Sequence, residues 1–113
     1  MSHKHEYIID ASSRGLSLYD GLILVTRIEW PEVQQVTAYK ADLLTYDSVT
    51  LVFLLAGQRG QVTLYEEMEG FEILMKAMTA ALPIAPANWY EQIIQPPFAT
   101  NEMRLFSRSH SET

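Results

Sequence analysis

The chain has 113 residues, of which 48% are hydrophobic and 19% charged, with a net charge of −6 and no cysteine. Such a composition describes one ordinary globular domain over residues 1–113, and it excludes a disordered chain, a disulfide scaffold, thiolate chemistry and a zinc ribbon. The whole charge imbalance falls between Glu29 and Glu72, where eight carboxylates (Glu29, Glu32, Asp42, Asp47, Glu66, Glu67, Glu69, Glu72) meet only Lys40 and Arg59.

Met1–Glu6 lacks the apolar core of a secretory signal peptide. The longest apolar runs, Leu22–Val25 and Val49–Ala56, fall far short of the roughly 20 residues of a spanning helix, so a cytoplasmic protein without membrane contact is expected. Residues 5–65 read as a strand meander. Glu6–Ala11 is a first strand, Ser12–Gly15 a turn, and Gly15–Tyr19 alternates with Leu16 and Leu18 on one face. Asp20-Gly21 suits a two-residue hairpin turn, whose positions need positive φ. In Leu22–Trp30 the even positions Leu22, Leu24, Ile28 and Trp30 form the apolar row, with Arg27 and Glu29 opposite.

Pro31 interrupts that strand, because it cannot donate to a ladder. Val33, Val36, Ala38 and Tyr39 then fit a strand only after a bulge or short helical turn at Pro31–Gln34. Asp47-Ser48 reads as the next turn, and Val49–Leu55 as the clearest strand, with Val49, Leu51, Phe53 and Leu55 inward. Gly57–Gly60 turns the chain into Gln61–Tyr65, with Val62 and Leu64 inward.

At Glu66 the period changes from two to 3.6. Met68, Phe71, Leu74, Met75, Met78 and Leu82 mark an amphipathic helix over 67–82, stopped by Pro83. Residues 86–106 hold a short second helix, with Trp89, Ile93 and Ile94 available for burial, and an extended segment Phe98–Phe106 able to add an edge strand or to close the open end of the core. Residues 107–113 read as a frayed polar tail. The expected class is therefore α+β: an antiparallel meander, as a partial barrel or curved sheet, capped by an amphipathic helix.

The three histidines, His3, His5 and His110, all lie near a terminus, so the body of the chain holds neither His nor Cys. That removes the usual general base, the usual thiol nucleophile and the commonest transition-metal ligand, and no metal site or cofactor is expected. Asp42 and Asp47 flank Tyr46, where a catalytic carboxylate would need an apolar pocket to raise its pKa; Asp in a turn has an ordinary structural role. Glu66, Glu67 and Glu69 lack the alternating oxygen ligands of a calcium loop, and acids in a first helical turn are favoured by the helix dipole. Gly57-Gln58-Arg59-Gly60 leads into a strand, not a helix N-terminus, and is no phosphate loop. The eight bases are scattered, so nucleic acid is not an expected partner.

Several strands followed by one amphipathic helix, with the step Ile28-Glu29-Trp30-Pro31-Glu32-Val33, resembles a pleckstrin-homology-like (GRAM-like) domain over residues 5–82. The longer pattern is similar to small acidic uncharacterised bacterial proteins. It comprises Trp30, Ala38-Tyr39-Lys40-x-Asp42, Glu66-Glu67-Met68-Glu69-Gly70-Phe71, Trp89 and Pro97-Phe98-Ala99-x-Asn101. That second resemblance implies an immunity-type protein. The net-negative strand region departs from the basic mouth of lipid-binding relatives and would repel an anionic membrane.

The leading expectation is a non-catalytic protein-binding module that covers a basic surface, such as a toxin's, through Glu66, Glu67, Glu69, Asp42 and Asp47. One alternative is a self-associating structural or regulatory domain, a homodimer paired through Gln61–Tyr65 or Phe98–Phe106. A carboxylate enzyme ranks last, since short loops leave little material for a pocket.

Overall fold

A computed structural model describes residues 6–42, 47–96 and 100–108. The chain runs β1 (Tyr7–Ala11), β2 (Gly15–Asp20), β3 (Ile23–Glu29), a 3-10 turn (Trp30–Glu32), β4 (Val33–Asp42), β5 (Asp47–Leu55), β6 (Gln61–Tyr65), α1 (Phe71–Ala81), α2 (Trp89–Ile93) and β7 (Asn101–Ser107). The fold is α+β, as the strand meander and helix pattern imply. It has two antiparallel sheets, ordered β1-β2-β3 and β6-β5-β4-β7, which do not close into a barrel. The C-terminal extended segment returns as β7 beside β4, so that β4 lies inside the second sheet and β7 at its edge.

Alternation explains most of the core. Val49, Leu51, Phe53 and Leu55 of β5 are buried, as are Leu16 and Leu18 of β2. Against β1 and β2 of the first sheet packs α1, where Phe71, Leu74 and Met78, at three- and four-residue spacing, make one buried apolar stripe. The 3-10 turn and an irregularity between Val33 and Gln35 supply the local break that Pro31 requires before β4. At this corner the Trp30 indole donates to the Ser12 carbonyl at 2.9 Å, and its backbone N–H donates to the Arg14 carbonyl at 3.1 Å. Arg108, just past β7, donates from Nε and Nη2 to the Val33 carbonyl at 3.1 and 3.0 Å.

Three local expectations are corrected. The first concerns the helix, which begins at Phe71 and not at residue 67. The preceding segment serves the first sheet: the Ile9 N–H donates to the Glu69 carbonyl at 2.8 Å, and Ile8 and Glu69 form a parallel bridge. Gly70 makes this approach tolerable. Its φ is 93°, and a Cβ there would sit 2.1 Å from the Ile9 carbonyl oxygen.

The second concerns β3. Asp20 pairs with Ile23, so the hairpin turn is Gly21-Leu22, one residue later than the Asp20-Gly21 reading. A bulge then leaves Val25 without a partner, with Thr26 opposite Leu18 but Leu24 opposite Tyr19. An extra residue switches the face of everything beyond it. Of the expected row only Ile28 and Trp30 are buried; Leu22 and Leu24 are exposed. The third concerns Asp47-Ser48, which begins β5 opposite Asp42 and Ala41 and does not form the turn. Residues 43–46 between them, including Tyr46, lie outside the described residues, as do Pro97, Phe98, Ala99 and all three histidines.

One inward position of β4 is not apolar. After Val36 and Ala38 the next inward residue is Lys40, only 2% exposed. Its ammonium donates to the Ile94 carbonyl at 3.0 Å and to the Pro96 carbonyl. A buried cation survives only when oxygens replace its water, and these carbonyls follow directly on α2.

Gly70→Ala is expected to cost about 3 kcal/mol or more in urea unfolding, through combined φ strain and overlap with Ile9. Lys40→Met should lose about 2 kcal/mol, because the carbonyls after α2 lose a charged donor. Amide hydrogen exchange should show that loss concentrated in Trp89–Ile93, with β5 least affected.

Candidate protein-binding face

The β5–β6 ladder ends at an acidic junction. Where β6 stops, the Glu66 N–H donates to the Val49 carbonyl at 2.9 Å, and Glu66 Oε1 accepts the Val49 N–H at 3.0 Å. Glu66 thus extends the ladder with its side chain. Its other oxygen, Oε2, accepts the Tyr90 hydroxyl from α2. Glu67 accepts the Ser48 hydroxyl at 3.0 Å.

Tyr90 sits where these carboxylates meet the helices, its ring packed edge-on against the buried Trp89, with centroids 5.7 Å apart. Burial, first, and then the hydrogen bond to Glu66 and the negative fields of Glu66 and Glu67 push its hydroxyl up to about 12. Beyond the ring, α1 and α2 flank an open groove of about 650 Å³. Met75, Ala80 and Trp89 give it an apolar lining, with Glu72, Glu91 and Lys76 supplying charge.

The five acids expected to form a binding face do not act alike. Glu66 is half-buried and committed to the ladder and Tyr90, while Glu67 is exposed yet anchored to Ser48. Asp42 and Asp47 are opposite one another at the far end of the β4–β5 ladder, one residue from Ser48 in β5, and their side chains lie outside the described residues. Register therefore brings four of the five to one end of the second sheet. Glu69 is elsewhere: its carbonyl is tied to β1, and its side chain is exposed.

Sequence order concealed two contributors. Glu91 lies outside the Glu29–Glu72 stretch, and nothing in the spacing announces that Tyr90 reaches across 24 residues to Glu66. The only sequence signal for Tyr90 was an aromatic pair beside a proline-rich segment. Among the described residues, no group of three or more His, Cys, Asp or Glu side chains is arranged to hold a metal ion. No described helix is long and apolar enough to cross a membrane. An apolar groove with acids at its margin is suited to an apolar side chain carried on a basic surface.

No family model, curated protein or solved structure matches this chain.

Tyr90 gives the junction a measurable signature. A folded tyrosine that keeps its proton until about pH 12, against about 10 when unfolded, adds stability that is complete below pH 10 and lost as pH rises from 10 to 12. The tyrosinate absorbance lost in Tyr90→Phe isolates this group from the other five tyrosines. In Glu66→Gln its midpoint should fall from about 12 toward 10, as one negative neighbour is removed.

Proposed function

We propose that this chain is a non-catalytic, cytoplasmic protein-binding module of the immunity type, which covers a basic surface on a partner such as a toxin. The observation that carries the reading is the groove beside Tyr90, where Glu72 and Glu91 border an apolar floor and the Glu66–Glu67 pair lies behind the ring. Glu66 organises this face from behind. Glu72 and Glu91 are exposed and carry no described side-chain contact, so they can meet cations from outside, while Glu67 adds to the field from its place beside Ser48. Opposite potentials would speed association and reject acidic competitors, and the groove would give the contact a buried centre. The pleckstrin-homology-like resemblance over residues 5–82 is part of this proposal, with the acidic face in place of a lipid-binding mouth.

Affinity capture from the native cell, read by mass spectrometry, should recover a basic protein. Replacing Glu72 and Glu91 together by Lys should weaken that complex at least about tenfold at low salt and flatten its salt dependence. The binding face is wrong if the affinity of the double variant is unchanged at low ionic strength.

A further inference from the structure

The β2–β3 hairpin exposes four consecutive apolar residues: Leu22 at 100%, Ile23 at 70%, Leu24 at 46% and Val25 at 51%. They lie at the start of β3, an edge strand of the first sheet. The other half of that edge is closed. Arg59, from the β5–β6 turn, donates to the Arg27 carbonyl at 3.0 Å and to Thr26 Oγ1 at 3.4 Å, and pairs with Glu32. No such cover reaches Leu22–Val25 among the described residues. Asp20 and Ile23 close the two-residue turn, so the next pair, Tyr19 and Leu24, turns the Leu24 backbone N–H and C=O away from β2.

We propose that this open half-edge is a homodimer interface, in which β3 of a second copy pairs antiparallel across a twofold axis near Leu24. The two sheets would join as one continuous six-stranded sheet, β3 against β3. The sequence is complementary to itself in that orientation. An uncharged stretch, Gly21–Thr26, is flanked by Asp20 at one end and Arg27 at the other, so antiparallel pairing brings the Arg27 of each copy toward the Asp20 end of its mate. Parallel pairing would set like charges together. Arg59, by occupying the Arg27 carbonyl, limits the pairing to the apolar half and so defines its register. An acidic membrane is a poor occupant, because the apolar stretch Gly21–Thr26 itself carries no cation, Arg59 beside it is paired with Glu32, and the chain carries −6.

The patch is on the order of 400 Å² per copy, within the range of the largest exposed apolar patch of a monomer, which is often functional. Two such patches fall below the roughly 1,200–2,000 Å² of a stable interface, so the dimer is weak and concentration-dependent. This interface is distinct from the acidic groove, and its test does not depend on any partner.

Sedimentation velocity of the full chain from about 10 μM to about 1 mM should show a reversible monomer–dimer equilibrium. Leu24→Lys should raise its dissociation constant at least about tenfold with an unchanged thermal midpoint, because the residue lies outside the core. Leu24→Cys, in a chain with no other cysteine, should form a disulfide dimer under mild oxidation, since residues facing across the axis lie within disulfide reach. A wild-type chain that stays monomeric throughout overturns the proposal. So does a dimer undiminished by Leu24→Lys, or a monomer whose hairpin instead drives it onto phosphatidylcholine vesicles.

Discussion

Among the described residues Lys40 is the buried one that carries a charge, and the segment after α2 is arranged around its ammonium. An inward lysine on an interior strand has either to reach solvent or to be ringed by oxygens. Here the Ile94 and Pro96 carbonyls meet it, and those residues follow directly on α2. The helix is only five residues long and could not hold itself together in isolation. Its position comes from Trp89 and Ile93, buried in the core, and from the lysine drawing in the carbonyls at its end. Because α2 is fixed this way, Tyr90 points at Glu66 and the groove beside it has a second wall. A charge in β4 thus determines the shape of a surface built from residues fifty positions later.

The two sheets share a second dependency, the segment from Glu66 to Gly70. Glu66 continues the β5–β6 ladder while Glu69 bonds to β1, so this five-residue segment ties one sheet to the other. Only glycine allows the backbone at residue 70 to come so close to Ile9. The helix that the apolar spacing announces therefore starts four residues late, since helical geometry from residue 67 would remove the bond to β1. Steric and hydrogen-bond demands from distant sequence outweighed local propensity and a favourable dipole at this helix start.

Much of the fold was legible because most positions obey a single period. In β5 every second residue is apolar and buried, and in α1 the buried residues keep helical spacing. The break after Pro31 was readable for a chemical reason, the missing donor. Failures came where one residue shifted the period. Val25 carries no mark of being a bulge, yet it sends Leu24 to the outer face and leaves an apolar tetrad in water. Lys40 reads in the sequence as one of two bases in an acidic stretch, although its alternation with Val36 and Ala38 already places it inward. The candidate face was half legible: register unites Asp42, Asp47, Glu66 and Glu67, but Tyr90, Glu72 and Glu91 join only through the packing of α2.

The acidic stretch divides by function once the contacts are known. Glu32 holds Arg59, Glu66 completes a ladder, and Glu67 binds a hydroxyl; each would be disrupted by a basic residue of similar length. Their sign is therefore structural in part. Glu69, Glu72 and Glu91 are exposed and show no such internal use among the described contacts, so a lysine at any of them would break no described side-chain bond. The pressure on their sign has to come from outside the core. Arg59, the partner of Glu32, also guards one half of the β3 edge, so the same ion pair that consumes a negative charge leaves the other half of that strand open. Charge thus does two separate jobs on this surface: a negative field gathers beside Tyr90, and a single cation sets where the first sheet stops being protected.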